Sequence, residues 1–327
     1  MSTTETSQRS LCVAPMMAWT DRHCRYLLRL CSPNARLFTE MITTGALLHG
    51  PRQRLLALDP VEHPVVIQLG GSNPGELADA ARLAEAAGFD EINLNVGCPS
   101  PRVKEGRFGA CLMREPQLVA RCVDTMRTST RLPVTVKCRL GVDEADSDEL
   151  LEAFVAELVG AGCEALYLHA RKAMLDGLSP AQNREVPPLQ PERVYRLKAR
   201  FPLLPVILNG GVADARAAIA HMSHVDGVMI GRGAYHDPMF LAALDHELFA
   251  SPLVDVWNVL DQYLVYIEAE LARGVRLHDM TRHMLGMLKG LPGARRYRRT
   301  LSNAQRLRDN DIGLVIEAVA SVAARAA

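Results

Sequence analysis

Eight short β-rich runs recur before residue 231, with helical patterns between them, and this alternation constrains the fold more than anything else in the chain. The runs are Leu11–Ala14, Arg36–Thr39, Val65–Leu69, Glu91–Asn95, Val134–Arg139, Ala165–His169, Val206–Asn209 and Gly227–Ile230. Most are nearly continuous apolar segments, as parallel strands covered on both faces require. The stretches between them carry helix signals. Ser72-Asn73-Pro74 pairs a capping side chain with a proline in the first turn, and Leu77, Ala80, Ala81, Ala84 and Ala87 follow at helical spacing. Asp146/Ser147 and Asp214 open two more. Strand and helix alternating eight times predict an α/β fold, a (β/α)8 TIM barrel rather than a doubly wound sheet. After residue 245 no strand-like run remains, and Val254–Leu271 and Asp311–Ala326 are helical in period. The expected division is therefore a barrel over residues 1–245 and a small helical domain over 246–327.

An apolar fraction of 48% and a charged fraction of 23% exclude a disordered chain or a coiled coil. The opening stretch MSTTETSQRS is polar and has no apolar core of a signal peptide, and no run approaches 18 apolar residues. A cytoplasmic protein without a membrane partner is expected, and no protein partner is implied. The eight cysteines include no C-x-x-C pair, so neither a zinc site nor a disulfide framework is expected. The 37 Lys+Arg balance 37 Asp+Glu. A zero sum would argue against a nucleic-acid partner if the charges were evenly spread. They are not: residues 241–279 hold seven acids against two Lys/Arg, while 280–308 hold eight Lys/Arg against no acid.

In such a barrel the chemistry is built at the C-terminal ends of the strands. Polar or turn-forming residues stand there on every strand: Ala14-Pro15-Met16-Met17, Thr39-Glu40-Met41, Gln68, Asn95-Val96-Gly97-Cys98-Pro99, Lys137 with Arg139, His169-Ala170-Arg171, Asn209-Gly210-Gly211 and Gly231-Arg232-Gly233. Glycines after strands seven and eight let backbone N–H groups approach an anion closely, so Asn209, Gly210, Gly211, Gly231 and Arg232 read as a phosphate cradle. The ligand is either a phosphorylated substrate or a cofactor such as FMN. For a flavin, Lys137 would stabilise the anionic reduced ring, Gln68 would bond its pyrimidine edge, and His169 would contact ring or phosphate.

Taken together, Ala14-Pro15-Met16, Asn95-x-Gly97-Cys98-Pro99, Gly109-Ala110-x-Leu112-Met113, Val136-Lys137-x-Arg139-Leu140-Gly141, His169-Ala170-Arg171, Asn209-Gly210-Gly211 and Gly231-Arg232 resemble the tRNA-dihydrouridine synthases. The resemblance runs from about residue 11 past residue 300. Trp19–Arg25 and Leu178–Leu189 are similar to the A subfamily, associated with D-loop uridines near position 20. The resemblance implies FMN in the barrel, with Pro15, Met16 and Met17 touching it through backbone. It implies NADPH as reductant, hydride transfer to C6 of uridine, and Cys98 as the general acid that protonates C5. A thiol with an ordinary value near 8.5 is mostly protonated at neutral pH and can donate. Asn95 and Arg139 become candidate contacts to the substrate. One departure stands out: the family pattern places an acid after Met17, and this chain has Ala18.

A uridine in a folded loop must be extruded before it can stack on a flavin. The rest of the tRNA is held through phosphates and shape. The basic run from Arg282 to Arg308 suits that task, above all Arg295, Arg296, Arg298 and Arg299, with Tyr297 among them. Lys172, Asn183 and Arg184, after strand six, are further candidates. No G-x-G-x-x-G follows a strand, so the nicotinamide is expected to visit the flavin pocket transiently. An FMN-dependent dehydrogenase or ene-reductase acting on a small pyrimidine or enone is the alternative; it has less need of the basic run.

Overall fold

A computed structural model describes the backbone of residues 10–326 and the side chains within it, except those of Arg102 and residues 323–326. The polar stretch read above for a leader lies largely outside the described residues.

Eight parallel strands close a barrel in sequence order: β1 (Ser10–Val13), β2 (Arg36–Thr43), β3 (Val65–Gly70), β4 (Glu91–Val96), β5 (Val134–Arg139), β6 (Leu166–His169), β7 (Val206–Asn209) and β8 (Gly227–Ile230). β8 returns to pair with β1, so the sheet has no free edge. This is the expected (β/α)8 barrel. Helix starts follow the predicted chemistry: Asn73 accepts the N–H groups of Gly75 and Glu76, Ser147 that of Leu150, and Asp214 that of Ala217.

The two faces of the strands differ. Ile92, Leu94 and Val96 of β4, with Val134, Val136 and Cys138 of β5, point outward into the main core beneath the helices. Cys12, Phe38, Val66, Tyr167, Ile207 and Met229 form a smaller cluster inside the barrel. The intervening residues of β4 and β5 are polar, and they also point inward: Glu91, Asn93 and Asn95, then Thr135, Lys137 and Arg139. β2 runs four residues past the predicted end because a bulge between Phe38 and Met41 shifts its register. Within that bulge the Thr39 hydroxyl accepts the backbone N–H of Gln68 at 3.0 Å.

The described residues divide into one unit containing residues 10–17 and Ala35–Gly231, and a second containing Ala18–Asn34 and residues 232–326. The helical unit thus begins at Arg232 rather than near residue 246, and it takes in a segment that follows β1. The cause is packing. Leu27 and Cys31, one turn apart on the helix Arg22–Cys31, share a core with Ala242, Val259, Leu260, Tyr263 and Ile267. Polar contacts fasten the same segment: Tyr263 donates to the His23 carbonyl at 3.1 Å, the Asp245 carboxylate accepts from the Ser32 hydroxyl and from the Asn34 backbone at 3.0 Å, and Arg22 pairs with Glu270. The long helices of this unit are Val256–Ala272 and Gly313–Ala326, within two residues of the predicted starts. No helix among the described residues is long and apolar enough to cross a membrane.

Candidate active site

Cys98 sits in the turn after β4, half-buried, and that turn is held from below. Asn95 Oδ1 accepts the N–H of Gly97 at 3.1 Å and that of Cys98 at 3.0 Å, an Asx-type closure of the strand end. On its other side, the Cys98 carbonyl accepts the N–H of Ala110 at 3.0 Å. The thiol faces the hydroxyl of Ser100 at 3.6 Å. Of the eight cysteines, all of them free, only Cys98 and Cys111 are not fully buried.

β5 brings two cations to the same strand ends. Lys137 Nζ donates to Asn209 Oδ1 at 3.0 Å. Burial, and next the nearby charge of Arg139, push its ammonium down to about 8. Arg139 is itself buried, and burial moves it down to about 10. His169, at the end of β6, is held well below the usual imidazole range by burial and by Arg139 and Lys137. It is therefore neutral at pH 7. The site thus concentrates positive charge on few counter-ions, an environment suited to an anionic ligand.

The glycines fit that ligand. Gly210 and Gly211 have φ of +104° and +80°, so their N–H groups turn to a direction that side-chain-bearing residues rarely adopt. A Cβ built on Gly231 would meet nothing nearer than the Ala14 Cβ at 3.9 Å and the Met16 sulfur at 4.0 Å. The backbone there borders open space, as the cradle of a phosphate requires. Pro15 and Met16 are half-buried beside it and Met17 is exposed, so their backbone can reach a ligand in that space. Arg232, next in the chain, is exposed and opens the short helix Arg232–His236. Ala18, where the resemblance leads one to expect an acid, lies at φ +61°. Among non-glycine residues, Asp and Asn adopt that left-handed conformation most readily.

Several predicted contacts have other occupations. Asn95 spends both ends of its amide inside the protein, since its Nδ2 also donates to Gln68 Oε1 at 2.8 Å; it shapes the Cys98 turn and has little left for a base edge. Gln68 Nε2 in turn donates to Asn93 Oδ1 at 2.8 Å, which leaves one N–H and one lone pair for a flavin edge. Arg139 donates to the carbonyls of Gly97 at 2.9 Å, Lys172 at 3.0 Å and Asn183 at 2.9 Å, clamping the β4 and β6 loops together. Asn183 is fully buried; its Oδ1 accepts from Met174 N at 2.7 Å and its Nδ2 donates to Met174 O at 2.9 Å, so it staples its own loop and offers nothing to an external partner. Lys172 lies 3.6 Å from Asp146, while Arg184 is exposed on the turn Gln182–Arg184.

In the helical unit the basic run splits. Arg282 pairs with Asp21, Lys289 with Asp237 at 3.0 Å and Arg306 with Glu317 at 2.6 Å. Arg295, Arg296, Arg298 and Arg299 are all exposed on the helix Ala294–Leu301. Tyr297 faces the other way: it is fully buried and donates to the Met284 carbonyl at 2.9 Å, so it is a core residue and no stacking platform. A cavity of about 450 Å³ opens beside this helix, lined by Arg276, Arg282 and Arg308 over Leu285, Leu301 and Leu307.

Sequence reasoning missed Ser100 and the inward polar residues Glu91, Asn93, Thr135 and Tyr167. A signal existed. Glu91-x-Asn93-x-Asn95 and Thr135-x-Lys137-x-Arg139 repeat with period two, which places each set on one face of its strand.

A closed parallel barrel with its cations, its thiol and its glycine turns gathered over the strand ends belongs to the (β/α)8 enzymes. Within that class, the family model for dihydrouridine synthases matches residues 12–323, and the chain belongs to that family. Its reaction is the reduction of uridine to dihydrouridine in tRNA. Relatives include the tRNA-dihydrouridine(20/20a) synthases of Xanthomonas campestris pv. campestris, 56% identical over 89% of this chain and 87% of its own length, and of Escherichia coli K12, 54% identical over 95% and 91%. The enzyme of that name from Shewanella oneidensis is 54% identical over 90% of this chain and 88% of its own length.

Proposed function

We propose that this chain reduces uridines 20 and 20a in the D-loop of tRNA, with FMN in the barrel, NADPH as reductant and Cys98 as proton donor. The observation that carries the reading is the coincidence, over one set of strand ends, of a thiol on a clamped turn with a glycine cradle and a buried cation, in a chain more than half identical to synthases named for those positions.

FMN, when bound, supplies hydride to C6 of the uracil. The protein's own residues do the rest. The backbone of Gly210, Gly211 and Gly231 receives the phosphate, helped by Asn209 and Arg232, while Pro15, Met16, Met17 and Gln68 line the ring. Lys137, a cation under desolvation pressure, gains a partner when the ring carries negative charge. Neutral His169 completes the wall. Cys98 delivers a proton from Sγ to C5, so that hydride and proton together saturate the C5–C6 bond, and the resulting thiolate is stabilised by Lys137 and Arg139. Ser100, beside the thiol, can pass it a proton from water to restore the acid. NADPH reaches the site transiently.

The tRNA is held by Arg295, Arg296, Arg298 and Arg299 of the helical unit, whose exposed guanidinium groups meet phosphates, and by Lys172 and Arg184 of the barrel. The test is direct. The purified protein is expected to be yellow with an FMN spectrum and, given NADPH, to form dihydrouridine at 20 and 20a in tRNA from a strain lacking the activity. A colourless protein, or one that reduces free pyrimidines but not tRNA, overturns the reading.

A further inference from the structure

A line of hydrogen bonds runs through the barrel interior from its N-terminal end to the Cys98 turn. Glu91 is the first residue of β4 and Asn95 the fifth. Glu91 Oε2 accepts from Arg36 at 2.6 Å. Its Oε1 accepts from the hydroxyls of Thr135 at 2.6 Å and Tyr167 at 2.9 Å. Thr135 Oγ1 accepts from Asn93 Nδ2 at 3.0 Å, Asn93 Oδ1 from Gln68 Nε2 at 2.8 Å, and Gln68 Oε1 from Asn95 Nδ2 at 2.8 Å. Asn95 Oδ1 then accepts the N–H groups of Gly97 and Cys98. Every donor in this line points the same way, down towards the carboxylate.

We infer that Glu91 is a positioning residue for Cys98, acting through the orientation of three amides. The Thr135 hydroxyl has two acceptors, Glu91 Oε1 at 2.6 Å and the Ile92 carbonyl at 3.2 Å; its single proton goes to the nearer, and its oxygen accepts from Asn93. That choice sets which end of Asn93 meets Gln68, which end of Gln68 meets Asn95, and finally that Asn95 turns its oxygen to the catalytic turn. At the far end, two backbone N–H groups can only donate. One sense of the line satisfies both ends; the reversed sense puts an NH2 against two N–H groups. Buried amides in a low-dielectric interior make that mismatch costly. Glu91 belongs to no part of the site itself, since it stands at the opposite end of its strand from Cys98.

Glu91→Gln exposes the logic. Arg36 only donates, so it claims the new amide oxygen and leaves the NH2 facing Thr135 and Tyr167. Thr135 then has two places for its proton: given upward to Asn93, it inverts the three amides in turn and brings the conflict to Gly97 and Cys98, the outcome this inference requires; given to the Ile92 carbonyl 3.2 Å away, it leaves the line as it was, the outcome that overturns it. Removing the competing donor, in Arg36→Met/Glu91→Gln, frees the oxygen to face Thr135 again and restores the original sense.

The measurement is amide hydrogen exchange on the full-length protein as purified, with the alkylation rate of Cys98 by iodoacetamide as a second readout. In Glu91→Gln the amides of Gly97 and Cys98 are expected to lose protection at least tenfold and the alkylation rate to change by a similar factor, while Leu94 and Leu168 stay protected; the double variant recovers both. Thr135→Val, which breaks the line by one hydroxyl at constant shape, serves if Glu91→Gln does not fold and is expected to loosen the same two amides. The inference is overturned if a folded variant leaves both readouts within twofold of wild type, if all strands loosen alike, or if the double variant behaves as Glu91→Gln does. It rests on the proposed role of Cys98 only for its catalytic consequence. Should Cys98→Ala keep full turnover while Glu91→Gln still loosens the turn, the proton-donor reading fails and this one stands.

Discussion

Asn95 holds Cys98 by its backbone and leaves its thiol alone: Oδ1 accepts the Cys98 N–H at 3.0 Å, while Sγ faces Ser100. The turn is therefore built independently of the side chain of Cys98, the proposed proton donor. Cys98→Ala is expected to keep the fold, the turn and the flavin, and to lose about 10²–10⁴-fold in the rate of uridine reduction, the usual range for removing a general acid. Single-turnover oxidation of the reduced enzyme by tRNA measures it. A rate within threefold of wild type removes Cys98 from the mechanism.

The cradle glycines separate into two kinds. A Cβ on Gly231 enters open space, so Gly231→Ala is expected to change stability by under about 1 kcal/mol yet to lower FMN retention at least tenfold by filling the phosphate's place. Gly211→Ala meets the Leu189 side chain at 2.5 Å and needs φ +80°, and is expected to cost about 1–3 kcal/mol in stability as well. Thermal unfolding and flavin absorbance, recorded on the same samples, distinguish them.

Lys137 links stability to pH. Its value of about 8 in the fold lies below the 10.5 of a free side chain, so between those limits the unfolded chain binds more protons. Stability from this group is lowest below pH 8 and rises as pH climbs towards 10.5. Lys137→Met lacks that rise. Urea midpoints of the flavin-free proteins at pH 7 to 10 are expected to shift in favour of the wild type as pH increases; parallel profiles would show that Lys137 is not desolvated.

Arg295 and Arg299 test the proposed tRNA contact. Reversing both to Glu is expected to weaken tRNA binding and to make the plot of log affinity against log salt shallower by about one to two, since each phosphate contact contributes roughly 0.7–0.9. An unchanged slope places the tRNA elsewhere. The fold is not at risk, because the helix is anchored by Ala294, Tyr297 and Leu301, which face the core.

The barrel was legible because its signals are local and repeated. Caps at Asn73, Ser147 and Asp214 and apolar strands each carry a little information, and eight repeats add it up. The strand-end residues were legible for the same reason, as departures from an apolar background. What Asn95, Arg139 and Asn183 do with their side chains was not. Each looks like a binding residue in the chain and serves as internal scaffolding in the fold: Arg139 reaches partners 33 and 44 residues away, Asn95 one 27 residues away, and Asn183 turns back on Met174 nine residues before it, and no local pattern announces any of these pairings. Tyr297 fell to a related cause: its charged neighbours in sequence lie on the opposite face of its helix. The start of the helical unit was misjudged by about one helix, since nothing local says that Leu27 and Cys31 find their partners beyond residue 240.

That last feature has a temporal side. The helix Arg22–Cys31 leaves the ribosome early, but the residues it packs against, from Ala242 to Ile267, are more than two hundred positions downstream. At about 5–20 residues per second the nascent helix waits roughly 10–45 s for its partner. Through that interval Leu27 and Cys31 have no home, and a message truncated before the helical unit yields a chain that can never cover them.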